Sequence, residues 1–245
     1  MVAQRQTFAT SRSVASKHVQ DGNWAIFMAG LPGSGKTTVL NKLYGLDNVK
    51  MLDLDTEMKH HPQYDPTQPE SIYSDPEAYQ WANTKVEERF QSIIKLRRPG
   101  CGADRGPLHR LIAIDGTGTK VPRRLRRIEE AKRAGYKIEL LHAHVDIATA
   151  LERNSWRTRQ VPEEVMRDYQ ARLDAAIEAV VPFVDQYTRF DNSKHDGLSG
   201  IQRWKEHYED VWEQSQRYDA LWAEHGQPFS RAVTDPVEFD GAGGA

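Results

Sequence analysis

Eight consecutive residues, Gly30-Leu31-Pro32-Gly33-Ser34-Gly35-Lys36-Thr37, fit the pattern G-x-x-x-x-G-K-[ST] at every fixed position. Glycines at these places let successive backbone N–H groups turn inward and form a nest for a phosphate. A helix starting at the end of the octet adds the positive end of its dipole. Lys36 has the reach to meet β- and γ-phosphate oxygens, and the Thr37 hydroxyl can ligate Mg²⁺. Gly30, Gly33, Ser34, Gly35, Lys36, Thr37 and Thr38 are therefore the candidate nucleotide-binding residues.

Three further groups could turn binding into phosphoryl transfer onto a hydroxyl. Asp53-Leu54-Asp55 closes an apolar run. One carboxylate there can accept the acceptor's proton, and another can organise Mg²⁺ through water. The competing use of such a pair is to cap the following helix. Asp115-Gly116-Thr117-Gly118 closes a second apolar run, where Asp115 suits Mg²⁺ or the acceptor; an Asp-Gly turn is the competing use. Arg153, Arg157 and Arg159 lie between two helical patterns as a candidate lid, and Arg153 and Arg157 at i, i+4 share a helical face if the helix runs through both. Arginines closing on a triphosphate stabilise the charge that spreads over the transferring group. By contrast, Arg123-Arg124-Leu125-Arg126-Arg127 is expected to be a solvated helix face. The nine histidines show no zinc spacing.

The elements that must position these groups alternate along the chain. Strands are predicted at Trp24–Ala29, Val49–Leu54, Leu111–Asp115, Lys137–Val145 and Tyr187–Phe190. Helices are predicted at Thr37–Tyr44, Pro76–Leu96, Pro122–Ala134, Ile147–Arg157 and Pro162–Val181. This alternation predicts an α/β class, a parallel sheet covered by helices. Ligands in such sheets sit beyond the carboxyl ends of the strands, where the loop and both acidic sites fall. The expected organisation is a flexible leader over 1–22, an α/β domain over 23–195, a helical C-terminal extension over 196–226 and a mobile tail over 227–245. The extension carries an apolar, aromatic stripe at Ile201, Trp204, Tyr208, Val211, Trp212, Tyr218 and Trp222.

Composition narrows the classes. The 245 residues carry a net charge of −2, so no global basic field draws the chain to nucleic acid or to an anionic membrane. Cys101 is the single cysteine, which excludes an intramolecular disulfide. No apolar run approaches the roughly 20 residues of a membrane span. A cytoplasmic protein is expected.

Several residues together resemble the zeta-toxin family of P-loop kinases. Asp53-Leu54-Asp55-Thr56 followed by His61-Pro62-Gln63-Tyr64-Asp65 is similar to that family's Asp-x-Asp-Thr and His-Pro stretches, and Asp115-Gly116-Thr117-Gly118 to its acidic-Gly-Thr motif. Gly135-Tyr136 is also typical. The Arg153-Asn154-Ser155-x-Arg157 lid with Val161-Pro162 resembles equally the kinase domain of phage-type polynucleotide kinases. Met58 stands where the family carries a basic residue, with Lys59 one place later, and Thr119-Lys120 where an arginine often follows.

The resemblance, over roughly residues 26–192, implies a P-loop NTPase fold that binds ATP and Mg²⁺. It implies Lys36 and Thr37 on ATP–Mg²⁺, with Asp115 also near the metal, and Asp55 as general base. Asp115 and Thr117 would bind the acceptor and Arg153 and Arg157 the transferring phosphate; Asp53 is a further candidate for the acceptor and Arg159 for the nucleotide. The expected activity is phosphate transfer to a hydroxyl of a nucleotide sugar such as UDP-N-acetylglucosamine, with an antitoxin as partner. The alternatives are a polynucleotide 5′-hydroxyl or DNA hydroxymethyl-base kinase and, in another class, a nucleotide-dependent regulatory protein.

Overall fold

A computed structural model describes residues 22–68, 71–72, 75–96, 106–157 and 160–193. The expected leader (Gly22 apart), C-terminal extension, tail and Arg159 lie outside the described residues.

Five strands, β1 (Trp24–Ala29), β2 (Lys50–Leu52), β3 (Leu111–Ile114), β4 (Lys137–His144) and β5 (Gln186–Asp191), form one sheet in the order β2-β3-β1-β4-β5. Every pairing is parallel, with Trp24 opposite Leu111 on one side of β1 and opposite Lys137 on the other. Parallel strands are covered on both faces, and β1 accordingly is apolar and buried at all six positions. The chain leaves β1 toward β2 and later crosses to β4 on the opposite side. The order thus reverses at β1, and the crevice beyond its carboxyl end is where ligands bind in such sheets.

The helices are α1 (Lys36–Tyr44), α2 (Leu54–Lys59), α3 (Pro76–Lys95), α4 (Val121–Arg133), α5 (Ile147–Ser155) and α6 (Glu163–Val180). Trp24, Ile26 and Met28 point to the face where Val39, Leu40 and Leu43 of α1 pack. Ala25, Phe27 and Ala29 point to the opposite face, against Phe90 and Ile93 of α3, Ile128 and Ala131 of α4 and Leu173 and Ile177 of α6. Burying a side chain such as Phe27 or Phe90 contributes about 2–3 kcal/mol each. Gly135-Tyr136 leads into β4: the glycine takes a positive φ of 89° and the tyrosine hydroxyl donates to the His109 carbonyl at 2.9 Å.

Most element ends fall within one residue of the sequence prediction, and two differ by two residues. The second strand stops at Leu52 rather than Leu54, because the Asp53 carboxylate accepts from the backbone N–H of Asp55 (3.3 Å) and Thr56 (3.0 Å) and so caps α2. Such a cap stabilises a helix start by about 1 kcal/mol, enough to turn Leu54 and Asp55 out of the strand. The helix expected to run through Arg157 ends at Ser155, with Trp156 as its C-cap. Arg157 therefore stands beyond α5.

Candidate active site

The phosphate loop joins β1 to α1 and is pinned from several sides. The Gly30 N–H donates to the Thr117 carbonyl at 3.0 Å, tying the loop to the turn after β3. Its three glycines have no room for a side chain: a Cβ on Gly30 (φ 147°) would lie 2.5 Å from the Ala143 carbonyl oxygen. A Cβ on Gly33 (φ 80°) would lie 2.5 Å from the Ala150 carbonyl oxygen on α5, and one on Gly35 (φ 72°) 2.4 Å from Asn192 Nδ2. The Lys36 ammonium arcs back over the loop toward the carbonyls of Gly30 (3.3 Å) and Leu31 (3.4 Å). Thr37 and Thr38 fall in the first turn of α1, beside the N–H groups a helix leaves unpaired there.

Next to the loop lies an open cavity of about 230 Å³, and most of the candidate chemistry faces it. Lys36, Asp53, Asp55, Asp115, Thr117 and Arg157 all line it. Asp53 hangs from the end of β2 and also accepts from the Thr56 hydroxyl at 2.8 Å. Burial, then the charges of Asp55 and Asp115, push its carboxyl up to about 7. Both uses weighed for the acidic pair thus coexist: Asp53 caps α2, and the cap places Asp55 one step further round, in the cavity. Burial lowers the Lys59 ammonium while the charges of Asp53 and Asp55 oppose that, so this lysine senses both carboxylates from the end of α2.

Asp115 extends from β3, its N–H donating to the Leu52 carbonyl at 2.9 Å. Its Oδ1 is shielded from solvent and has no hydrogen-bond partner among the described residues. An acceptor atom left this way costs about 1–3 kcal/mol, which a cation would recover. This is the observation by which Mg²⁺ would fit the site, Asp115 and Thr37 being the candidate ligands. No group of three or more His, Cys, Asp or Glu among the described residues could hold a metal. An ion here would complete its shell on phosphate oxygens and water.

The arginine run on α4 corrects the expectation of a solvated face. Arg126 is exposed, but Arg124 and Arg127 are buried. Arg124 donates to the Met28 carbonyl at 2.6 Å; burial drags its guanidinium down to about 10, partly offset by Asp115. Arg127 grips Glu87 of α3 through Nε (2.9 Å) and Nη2 (2.6 Å). Burial opposes ionisation of Glu87, but Arg127, Gln91 and Arg126 outweigh it and hold the carboxyl below its usual range. Arg123, Arg124 and Arg127 line the cavity together with Lys120, Asn83, Tyr79 and Tyr169, none of them expected there. A signal existed: Arg124, Arg127, Ile128 and Ala131, spaced i, i+3, i+4, i+7, are all buried on α4.

Arg153 and Arg157 do not point at one spot. The Arg157 Nη2 lies 3.2 Å from Asp55 Oδ2, inside the cavity. Arg153 instead donates to the Asn192 carbonyl at 2.9 Å and is not among the cavity-lining residues. The cause is the early end of α5, which removes the shared helical face. Asn154 closes the turn after α5 by two hydrogen bonds to Val161, 2.8 and 3.1 Å long. The His61–Asp65 stretch builds the bend between α2 and α3: His61 meets the Trp81 ring edge-on at 4.9 Å, and the Asp65 carboxylate accepts from Thr67 N–H at 2.8 Å.

A phosphate loop at the carboxyl end of the central strand, in an all-parallel 2-3-1-4-5 sheet, defines a P-loop NTPase domain with a kinase-like fold. The chain belongs to the family described as an AAA domain, which matches residues 26–176. Among solved structures it is similar to one from the PezAT chromosomal toxin–antitoxin system of Streptococcus pneumoniae, at 14% identity and a TM-score of 0.51, over 84% of this chain and 88% of that one. It is also similar to a chain of the AvrRxo1-ORF1:ORF2 complex with ATP, at 14% identity and a TM-score of 0.51, over 89% of this chain and 82% of that one. The zeta-toxin-like P-loop kinase fold implied by the sequence motifs is thus the fold of this chain. No curated protein matches it. Among the described residues no helix is long and apolar enough to cross a membrane.

Proposed function

We propose that the protein is an ATP- and Mg²⁺-dependent kinase that phosphorylates a hydroxyl of an anionic, nucleotide-like acceptor, a nucleotide sugar such as UDP-N-acetylglucosamine being the first choice. One observation carries this reading. The phosphate-loop lysine, a carboxylate (Asp55) and an arginine (Arg157) face the same cavity, which Lys120, Arg123, Arg124 and Arg127 also line. A site for water alone needs no such wall.

In this mechanism Asp55 accepts the proton of the acceptor hydroxyl, whose oxygen attacks the γ-phosphorus as the bond to the ADP oxygen breaks. Lys36 meets the charge on the β–γ region and Arg157, already beside Asp55, meets the charge on the transferring group. Thr37 and Asp115 would hold Mg²⁺, which supplies neutralisation of the phosphate charge. Asp53 and Thr117 orient the acceptor, and the arginine wall draws in its anionic part. Most of the acceleration comes from positioning and electrostatics.

The test is phosphate transfer from γ-labelled ATP, with UDP-N-acetylglucosamine and a 5′-hydroxyl oligonucleotide offered in parallel and Asp55→Ala as control. Label on the sugar nucleotide that vanishes in the variant supports the reading. Label on the oligonucleotide instead moves the protein to the polynucleotide-kinase branch. ATP hydrolysis with no acceptor labelled favours a nucleotide-driven regulatory protein. Similarity to a chain from a toxin–antitoxin system supports a further proposal, a neutralising protein partner.

A further inference from the structure

The phosphate loop is held from behind by a residue that belongs to no recognised motif. Asn192 follows β5 directly, 158 positions after the loop, and its Nδ2 donates to the Ser34 carbonyl at 2.9 Å. Ser34 C=O and Gly35 N–H belong to one planar trans peptide and point in opposite directions. Fixing the carbonyl on Asn192 therefore aims the Gly35 N–H the other way, as a phosphate nest requires. Gly35 lacks the Cβ that would lie 2.4 Å from this same Nδ2, so the carboxamide reaches the loop only because the residue is glycine.

Asn192 is itself fixed at two points. Its N–H donates to the His144 carbonyl at 2.8 Å, extending the β4–β5 pairing, and its own carbonyl accepts from Arg153 Nη2 at 2.9 Å. Arg153 sits on α5, whose Ala150 carbonyl and Arg153 Cβ occupy the space a side chain on Gly33 would need. The loop is thus bordered at Gly33 by α5 and held at Ser34 by Asn192, and Arg153 links α5 to Asn192.

We propose that Asn192, braced by Arg153, is a positioning residue that sets the anion-binding geometry of the phosphate loop. This rests on the reading of the loop as a triphosphate site. Asn192 touches the loop backbone and acts through it, so its loss weakens every ligand that carries the phosphate chain, whatever base is attached.

The experiment compares binding of ATP and of inorganic tripolyphosphate, each with Mg²⁺, to the full-length wild type, Asn192→Asp and Asn192→Ala, by calorimetry. Thermal melting of each variant accompanies it. Asn192→Asp keeps the shape but replaces the donor by a carboxylate facing a carbonyl. The expected result is about tenfold weaker binding of both ligands, the scale of one hydrogen bond, with a melting temperature close to wild type. Arg153→Met, which removes the brace, weakens both ligands by a smaller factor. Unchanged affinity in a folded Asn192 variant overturns the proposal. So does a loss confined to ATP, which would place the side chain on the base. A wild type that binds neither ligand overturns the triphosphate reading of the loop itself.

Discussion

Glu139, in the middle of β4, and Asp115, at the end of β3, are acids of one parallel sheet with opposite surroundings. Glu139 is fully buried and well supplied: the Tyr44 hydroxyl donates to Oε2 at 2.5 Å, and Thr188 and the Gln186 amide (3.4 Å) also reach it. Burial pushes its carboxyl up against the opposing hydrogen bonds from Thr188, Tyr44 and Gln186, and burial together with the Glu139 charge pushes the Tyr44 hydroxyl up as well. Asp115 keeps a shielded oxygen with no hydrogen-bond partner among the described residues, near two more carboxylates and a buried guanidinium. A polar network that satisfies itself stabilises a fold, whereas one left open stores a demand that a ligand can meet. The contrast separates structure from function inside one sheet.

The sharpest test of this contrast is Asp55→Ala, which removes the proposed base from the open cluster. Phosphate transfer is expected to fall on the order of 10²–10⁴-fold in a labelled-ATP assay, with melting unchanged. Next in size is Arg127→Met, which takes from Glu87, between α3 and α4, the closer of its two ion pairs. Urea unfolding should show a loss of about 3 kcal/mol, since one partner of a buried pair is removed. A loss near zero would mean that Arg127 serves the acceptor rather than the fold.

Asp115→Asn is expected to lower transfer by about 100-fold while the melting temperature stays level or rises, as befits a site where stability is given up for activity. A parallel fall in both would erase the distinction from Glu139. Asp53 gives a pH signature. Its folded pKa, about 7, lies above its ordinary value, so the native state is favoured while the group is protonated. That contribution is lost as pH rises from about 4 through 7. Asp53→Asn keeps a capping side chain, so denaturation across this range should show a flatter pH slope, by on the order of 2 kcal/mol. Smallest is Glu139→Gln. It should leave transfer untouched and flatten only the fall of stability with pH above the ordinary glutamate value.

Legibility followed distance along the chain. The phosphate loop, the five strands and the acidic strand ends were readable because each is written within a few consecutive residues. Asp53 was read as either cap or ligand, and the structure gives it a cap's hydrogen bonds and a place in the cavity, which no local pattern could decide. The α4 arginines were misplaced because charge outweighed spacing: Arg124 and Arg127 share a stripe with Ile128 and Ala131, and the sheet covers that stripe. Arg153 was set beside Arg157 on a helix assumed two residues too long.

By itself the sequence determined the chemistry available: a loop that binds phosphate, acids at strand ends and arginines after α5. These follow from local backbone preferences and from hydrophobic periods that repeat over a few residues. The fold alone decided which of them meet. Arg157 reaches Asp55 across 102 positions, and Asn192 reaches Ser34 across 158. Both encounters depend on β4 and β5 lying on the far side of β1 from β2 and β3. That order is set by burial of both sheet faces over the whole domain, a cooperative quantity that no short stretch of sequence contains.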